Sequence, residues 1–519
     1  MTQASKVINI LEACFLYDGN PVLSNPWIRI KSIFTLYVNP ARWMLDGYIN
    51  WGNTLLRIYN HYISRPTILL ISMELLLLLV IFFLGIHIRS IGWAESNQVP
   101  FLSFLPEAAI FVFVMIMSMA VMGMYQLDSR PSFKDIIYRL MPAMIICFGL
   151  MAFIFYLMPE IYLGRGTFLI IMVLSFFGIL LTRLMLFKWL SMGTLQPRAL
   201  VLGIGESANE LIRQNEEDSS YRTPKIIGFV PFLGEERYVP AASVLPNTGS
   251  LVSLVKQYDV GEIIIATQER RGGSFPIQEL LECKMNGIKV IDIATFFERE
   301  RGHIRMDSLY PSWLVFGGGF DQSFLRSSVK RVFDVIASII LLIVTLPVML
   351  ITVLCILIED GFPVFYRQER VGKGGHTFMV LKFRSMSKNA EKGQNPQWAT
   401  TDDPRVTWVG RIVRKLRIDE LPQIVNVLRN EMSFVGPRPE RPYFVDMLSA
   451  KVPYYNVRHS IKPGITGWAQ VRYPYGASVE DAIEKLQYDL YYVKNHSLFF
   501  DVIILIHTVE VVLFGKGGR

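Results

Sequence analysis

Cysteine is scarce in this chain: Cys14, Cys147, Cys283 and Cys355 share no motif spacing, and two of them lie in strongly apolar runs. That excludes a disulfide framework and a cysteine-rich zinc site. Basic tracts and nucleic-acid motifs are also missing, so the formal charge of +8 points to anionic headgroups or phosphorylated small molecules as partners, with no nucleic acid expected. The first ten residues have no apolar run after a basic start, which argues against a cleavable signal peptide.

What the chain has in excess is apolar surface. Its 519 residues suffice for three domains, and 51% hydrophobic content exceeds what a soluble enzyme needs. Four runs, Thr67 to Ile86, Ala108 to Met124, Leu140 to Leu157 and Thr167 to Leu190, are each near the length of a spanning helix. Cations cluster on alternate flanks: Arg57 and Arg65 before the first run, Arg130, Lys134 and Arg139 between the second and third, and Arg183, Lys188 and Arg198 at the close. By the positive-inside rule both the N-terminus and everything after Leu190 are cytoplasmic. Glu74, inside the first run, is expected to pair with a neighbouring helix.

From Pro197 the texture changes to short β-runs alternating with polar helical stretches, a small parallel α/β domain ending near Tyr310. Gly203-Ile204-Gly205 with Ala208 resembles the dinucleotide fingerprint G-x-G-x-x-A. The second strand, however, runs into Phe229-Val230-Pro231-Phe232, without an acidic residue to grip a ribose, so a structural or regulatory role is favoured over an NAD site.

A fifth apolar run, Val332 to Ile358, has cations on both flanks: Lys330 and Arg331 before it, Arg367, Arg370, Lys373, Lys382 and Arg384 after it. Pro347 divides its 27 residues into pieces of 15 and 11, each too short to cross a ~30 Å core. The expectation is a re-entrant helix-break-helix that enters and leaves through one leaflet. The last run, Leu498 to Phe514, is interrupted by Asp501, Thr508 and Glu510 and reads either as an interfacial helix or as one docked in a globular core.

Most of the excess charge lies beyond this point: Val329 to Arg519 holds 25 Lys+Arg and 18 Asp+Glu, a difference of +7. Tyr366 to Met386 reads as strand, Gly-rich turn and strand, delivering Lys382 and Arg384 two residues apart and so on one face. The glycines at 372, 374 and 375 suit a phosphate cradle, but a hairpin turn needs the same residues. Asp419-Glu420 stands among Arg414, Arg417 and Arg438, the last within a rigid Pro437-Arg438-Pro439. Carboxylates among arginines stay ionised and can ligate a hard divalent cation, while guanidinium forks suit phosphoryl oxygens. Pro422 and the apolar Ile424, Val425, Val427 and Leu428 place the dyad at a helix start, where the dipole would favour its charge.

These residues carry a resemblance. KR-x-x-D with Pro347, LKFRSM, DELPQ-x-x-N, EMSFVGPRPE and IKPGITGWAQV follow one another from about Lys330 onward, and the region is similar to the bacterial sugar-transferase family of polyprenyl-phosphate glycosyl-1-phosphate transferases. The resemblance implies transfer of a hexose-1-phosphate from a UDP-sugar to undecaprenyl phosphate with release of UMP, as the first membrane step of exopolysaccharide, capsule or O-antigen repeat synthesis. It further implies a covalent intermediate on Asp419, assistance from Glu420, and Mg²⁺ held by these two residues. Lys382, Arg384, Arg414 and Arg438 would bind substrate phosphate, Lys330 and Arg331 would anchor the membrane helix and attract acceptor and anionic lipid, and Pro347 would mark its break. Arg417, where many relatives have Ser or Thr, and Asn430-Glu431, often Gly-Asp, depart from the pattern.

The expected architecture is membrane α plus α/β. It comprises an N-terminal cytoplasmic segment (1–65), four transmembrane helices (66–191), a Rossmann-like α/β domain (192–310), a linker (311–328), and an α+β catalytic domain (329–519) with a re-entrant helix at 330–358. The setting is the bacterial cytoplasmic membrane with the catalytic domain facing the cytoplasm, and likeness to the larger family members allows a homodimer. Two rivals are a membrane-anchored nucleotide-sugar dehydratase or epimerase, which requires bound NAD, and a non-catalytic assembly scaffold, which the intact Asp419-Glu420, Lys382 and Arg438 argue against.

Overall fold

The computed structural model describes residues 55–58, 61–91, 101–126, 133–191, 198–217, 224–231, 235–246, 249–267, 275–306, 323–387, 405–473, 476 and 478–513. The N-terminal segment up to residue 54 and most of the expected linker lie outside these residues. An antiparallel hairpin, β1 (Leu55–Ile58) and β2 (His61–Ser64), leads into four helices, α1 (Arg65–Ile91), α2 (Leu105–Val121), α3 (Phe133–Leu157) and α4 (Arg165–Ser191). α1 packs on α4 and α2, and α2 on α3, around Leu78, Phe82, Phe111, Met115, Leu140 and Ile171.

The outer faces are equally apolar, with Leu76, Val80, Phe113, Ile145, Phe177 and Leu181 exposed. A helix apolar all round and exposed on one side needs a hydrocarbon solvent. Three of the four are long and apolar enough to cross a membrane, and α2, with 17 residues, is shorter. Glu74 does pair with a neighbouring helix: Arg183 Nε of α4 lies 2.8 Å from its carboxylate, and both side chains are buried.

The α/β domain alternates β3 (Arg198–Leu202), α5 (Glu206–Glu217), β4 (Lys225–Val230), α6 (Leu251–Tyr258), β5 (Glu262–Ile265), α7 (Ile277–Met285), β6 (Lys289–Asp292) and α8 (Ile293–Arg301). The strands form one parallel sheet in the order β4-β3-β5-β6. Alternate β3 residues feed separate cores, Ala199 and Val201 on one face and Leu200 and Leu202 on the other. A parallel sheet buried on both faces requires this arrangement.

The C-terminal domain comprises α9 (Phe324–Asp360), β7 (Phe365–Val371), β8 (Thr377–Phe383), α10 (Trp408–Lys415), α11 (Ile424–Leu428), β9 (Ser433–Val435), α12 (Pro442–Lys451), β10 (Gly464–Thr466), α13 (Trp468–Arg472), α14 (Val479–Asn495) and α15 (Leu498–Leu513). β7 and β8 pair as the expected hairpin, with Tyr366 opposite Lys382. The domain is joined to its neighbours by specific side-chain contacts. Lys494 bonds Glu298 of α8 at 2.8 Å, the Trp468 indole donates to the Gly302 carbonyl at 2.7 Å, and His61 of β2 stacks on Phe500 at 4.3 Å between ring centres.

Pro347 does not end the membrane helix. α9 is one helix of 37 residues with Pro347 inside it, so the two expected pieces are joined. Proline deletes one N–H from the ladder and tends to kink a helix, while the remaining bonds continue past it. Thr345 and Thr352 hydroxyls bond back to the Leu341 and Val348 carbonyls at 2.7 and 2.8 Å. α15 adopts the docked form of the two readings of the last run, with Phe500, Asp501, Ile504 and Glu510 buried.

Candidate functional site

The Asp419-Glu420 dyad sits between elements that both rest on α9. At the C-terminal end of α9, the Glu359 carboxylate accepts from the Trp408 and Val409 N–H groups, at 2.6 and 3.0 Å, and so caps α10. α10 carries Arg414 in its last turn. At the other end, Arg331 donates to the Val427 and Leu428 carbonyls of α11 at 2.6 and 2.8 Å, and Asp334 accepts from Ser433 Oγ at 3.0 Å. Lys330 reaches the Val435 carbonyl at 3.1 Å, with Asp501 at 2.5 Å. Lys330 and Arg331 therefore fasten α9 to the domain. The role in attracting acceptor and lipid is corrected, because these cations are turned inward onto carbonyls and a carboxylate.

Between α10 and α11 the chain reverses at Arg417, whose φ of 59° is left-handed, and enters a six-residue 3₁₀ helix, Ile418–Gln423, that holds the dyad. The expected α-helix start is thus corrected: the α-helix that follows has five residues, too few for a useful dipole. Side chains set the electrostatics instead. Glu420 Oε1 accepts from Lys382 Nζ at 2.9 Å and Arg438 Nη2 at 3.3 Å. Burial alone would push the Glu420 carboxyl up, but Lys382, Arg438 and Arg417 outweigh it and hold the group well below the usual carboxylate range.

Asp419 differs. Its Oδ1 is buried and has no hydrogen-bond partner among the described residues. Burial, then the neighbouring Glu420 charge, pushes its carboxyl up against the pull of Lys382, Arg417 and Arg414. One member of the dyad is neutralised in place, and the other is left with an uncommitted oxygen.

The Pro437-Arg438-Pro439 loop is held by its carbonyls. Gly464 N–H donates to Pro437 O at 2.9 Å, Arg458 Nη2 to Arg438 O at 2.9 Å, Arg370 Nη1 to Pro439 O at 3.0 Å, and Val371 N–H to Glu440 O at 2.9 Å. Arg458 is itself paired with buried Asp489 at 2.7 Å. Asn426, the last residue of DELPQ-x-x-N, accepts from Leu381 N–H at 3.0 Å and donates to Met379 O at 2.8 Å, which staples α11 to β8 just before Lys382. Sequence reasoning missed Arg370, Asn426, Arg458 and Asp489 as supports. The quoted motif already contained Asn426.

Lys382 and Arg384 were expected to act together, and the structure separates their partners. Arg384 Nη2 donates to the Asp360 and Gly361 carbonyls at 3.1 and 2.7 Å, closing the end of α9, although the residue still borders the cavity. The turn at 372–375 is a hairpin connection and does not line the cavity. That cavity, about 860 Å³, is lined by Lys382, Arg414, Arg417, Asp419, Glu420 and Arg438 and also by the apolar Leu341, Phe434, Leu505, Val511 and Val512. Its volume is at the upper end for a small-molecule site.

No cluster of three or more His, Cys, Asp or Glu stands ready for a metal among the described residues. The buried, uncommitted Asp419 Oδ1 next to a second carboxylate nevertheless fits Mg²⁺, which commonly takes one or two carboxylates and completes its shell with substrate phosphate and water. In the α/β domain, the glycine turn is occupied by the chain itself. Gly203 has φ of 120°, and the next N–H, of Ile204, donates to Glu235 Oε2 at 2.8 Å. A carboxylate stands where a dinucleotide phosphate would approach, in keeping with a structural role.

Fold and site define a membrane-embedded protein whose C-terminal domain surrounds a cationic cavity with a carboxylate dyad. The family model for bacterial sugar transferases matches residues 325–515, and one described as a CoA-binding domain matches residues 120–274. The chain is 42% identical over 240 residues to UDP-N-acetylgalactosamine-undecaprenyl-phosphate N-acetylgalactosaminephosphotransferase of Aeromonas hydrophila, covering 46% of this chain and 56% of that protein, so it spans little more than half of this relative. It is 41% identical over 188 residues to the uncharacterized sugar transferase EpsL of Bacillus subtilis, covering 36% of this chain and 89% of that one. It is 42% identical over 186 residues to UDP-glucose:undecaprenyl-phosphate glucose-1-phosphate transferase of Caulobacter vibrioides, covering 36% and 69%. The chain belongs to the bacterial sugar transferase family.

Proposed function

We propose that this protein transfers a sugar-1-phosphate from a UDP-sugar to undecaprenyl phosphate at the bacterial cytoplasmic membrane, in two steps through Asp419. An Asp419 carboxylate oxygen attacks the sugar-bearing phosphorus, forming a P–O bond as the bond to UMP breaks and UMP leaves with its electron pair. An oxygen of the acceptor phosphate then attacks the same phosphorus and releases Asp419. The observation carrying this reading is the difference within the dyad: Glu420 is locked to Lys382 and Arg438, whereas Asp419 Oδ1 is buried beside them without a partner. Splitting the transfer lets two bulky substrates use one site in turn.

Lys382, Arg414 and Arg438 stabilise charge that develops on the phosphoryl oxygens, because they are fixed before the substrate arrives. The four pinned carbonyls of the 437–440 loop keep Arg438 in place. Bound Mg²⁺ would supply further charge neutralisation at the diphosphate.

Cytoplasmic orientation is supported by where the bundle meets this domain. Contacts come from β2, which precedes α1, and from the turn after α2, both on cation-flanked ends of the helices. Re-entrance is supported by the two docked ends of α9. Lys330 and Asp360 would be about 45 Å apart on a straight helix, more than the roughly 40 Å diameter of a domain this size. A bend at Pro347 would bring both ends onto one domain and set the dyad at headgroup level.

The test is incubation of the purified protein with Mg²⁺, undecaprenyl phosphate and a panel of UDP-sugars, scoring UMP release. At least one sugar gives UMP and a lipid-linked product. Folded protein that releases none from any of them overturns the assignment.

A further inference from the structure

Beside the cations around the dyad, the site cavity has an apolar part, to which α15 supplies Leu505, Val511 and Val512 and α9 supplies Leu341. Val512 is exposed, as are Ile340 and Val344 beside Leu341. The apolar part therefore meets the same lipid-facing surface that α9 presents to the membrane. A phosphate bound among the cations would have its hydrocarbon chain continue along this wall, which commits the apolar part to one occupant, the isoprenoid chain of the acceptor.

α15 has a second face. Leu505, Thr508, Val511 and Val512 line the cavity, while His507 and Glu510, three apart, lie farther round the helix, with Glu510 the more distant from the cavity face. That side touches the membrane bundle. Gln126, in the turn after α2, contacts both Glu510 and His507 through its amide. Arg139 of α3 lies 3.9 Å from Glu510 and donates to the Gly123 carbonyl at 2.7 Å.

The turn itself is fixed from within the bundle, because Arg183 donates to the Met124 carbonyl at 2.7 Å. Gly123 has φ of 67°, and a Cβ there would meet the Glu510 carboxylate at 2.5 Å. Glycine suits this left-handed backbone, and any Cβ here would require the Glu510 carboxylate to shift.

We propose that the membrane bundle, acting through Glu510, holds α15 in place as one wall of the subsite for the acceptor's hydrocarbon chain, making Glu510 a positioning residue for the lipid substrate. The inference rests on the acceptor assigned above and deepens it. Thr508 is the pivot: its hydroxyl meets that of Thr466 in β10 at 2.8 Å, so the inner edge of α15 is tied to the strand beside Val435. Loss of the outer tie lets α15 swing on this point and open the apolar part, leaving the cations around Asp419 where they are.

The experiment compares two acceptors in the full-length protein: undecaprenyl phosphate and a water-soluble phosphate of a two-isoprene alcohol too short to reach α15. Glu510→Ala raises KM for undecaprenyl phosphate about tenfold, the weight of one or two methylenes losing their contacts, and changes KM for the short acceptor less than about threefold. Glu510→Gln, which still accepts from Gln126, recovers most of the loss. Gln126→Ala reproduces the shift from the bundle side, serves as the test if Glu510→Ala does not fold, and adds nothing when combined with it. Equal shifts for the two acceptors, or no shift for either, overturn the proposal. Retained turnover in Asp419→Asn would instead sink the transfer reading on which it rests.

Discussion

Lys382 donates to Glu420 at 2.9 Å, and the adjacent Asp419 keeps a buried carboxylate oxygen without a partner among the described residues. Two neighbouring carboxylates thus have different surroundings, because one residue of offset in a 3₁₀ helix turns them apart. The cation at the end of β8 holds Glu420 ionised, and the desolvated Asp419 keeps the uncommitted oxygen that the proposed nucleophile needs.

Replacing Lys382 by methionine removes the nearest charge on Glu420 while keeping the bulk of the side chain. Burial is then opposed only by Arg438 and Arg417, so the Glu420 carboxyl rises from its lowered position. Activity falls on the order of 10²- to 10³-fold, and it falls further at pH 5 than at pH 8 because the acidic limb moves up. A pH profile of kcat/KM that drops uniformly, with no shift of its acidic limb, would contradict this role.

Asp419→Asn abolishes turnover and stabilises the protein. The Asp419 carboxyl is raised in the folded state by burial and by Glu420, so folding binds its proton more tightly than the unfolded chain does. Its contribution to stability falls as pH rises from the unfolded value upward, and the ionised group opposes folding at neutral pH. The amide relieves this, giving a gain on the order of 1 kcal/mol, read as a higher melting temperature at pH 7 than at pH 4 relative to wild type. A variant less stable than wild type at pH 7 contradicts the account.

Asp489→Ala leaves the buried Arg458 guanidinium uncompensated behind the 437–440 loop. Breaking one side of such a pair costs about 3–5 kcal/mol. Melting of the purified variant shows that loss, and Arg458→Met with Asp489→Leu recovers much of it. The same double variant still loses activity, since Arg438 no longer has its carbonyl held.

His303 lies at the junction of the α/β and C-terminal domains, where burial and then Arg301 and Arg305 push it down to about 4 from 6.5. The folded state therefore holds it neutral while the unfolded chain takes a proton. Its stabilisation is complete above pH 6.5 and is lost progressively as pH falls to about 4. His303→Phe flattens the fall in melting temperature over that window, and an unchanged slope would exclude His303 as its source.

Much of this architecture was legible in residue patterns. Four apolar runs, a change to β-α alternation at Pro197 and a hairpin ending at Lys382 follow from periodicity and turn chemistry, and each appears where the residues suggest. The dyad was legible because carboxylates among arginines are unusual outside phosphate sites. Tertiary partners were not. Nothing local in Arg458, Asp489 or Arg370 announces that they hold the carbonyls of a distant loop. Lys330 and Arg331 look like membrane-flanking cations until α11 and Asp501 are seen to receive them. The helix start expected at the dyad failed because Arg417 takes a left-handed turn, a geometry that propensity assigns to glycine or asparagine. Pro347 likewise suggests a break by its chemistry, yet α9 runs through it as one helix.

The central claim is that Asp419 carries the sugar phosphate between donor and acceptor. Mixing the protein with Mg²⁺ and UDP-sugar in the absence of lipid acceptor, quenching, and mapping the modified peptide by mass spectrometry tests it directly. The account predicts UMP in an amount matching enzyme sites, a phosphosugar on Asp419, and disappearance of that adduct when undecaprenyl phosphate is added. UMP release that requires the acceptor from the first turnover, with Asp419 unmodified, would contradict it.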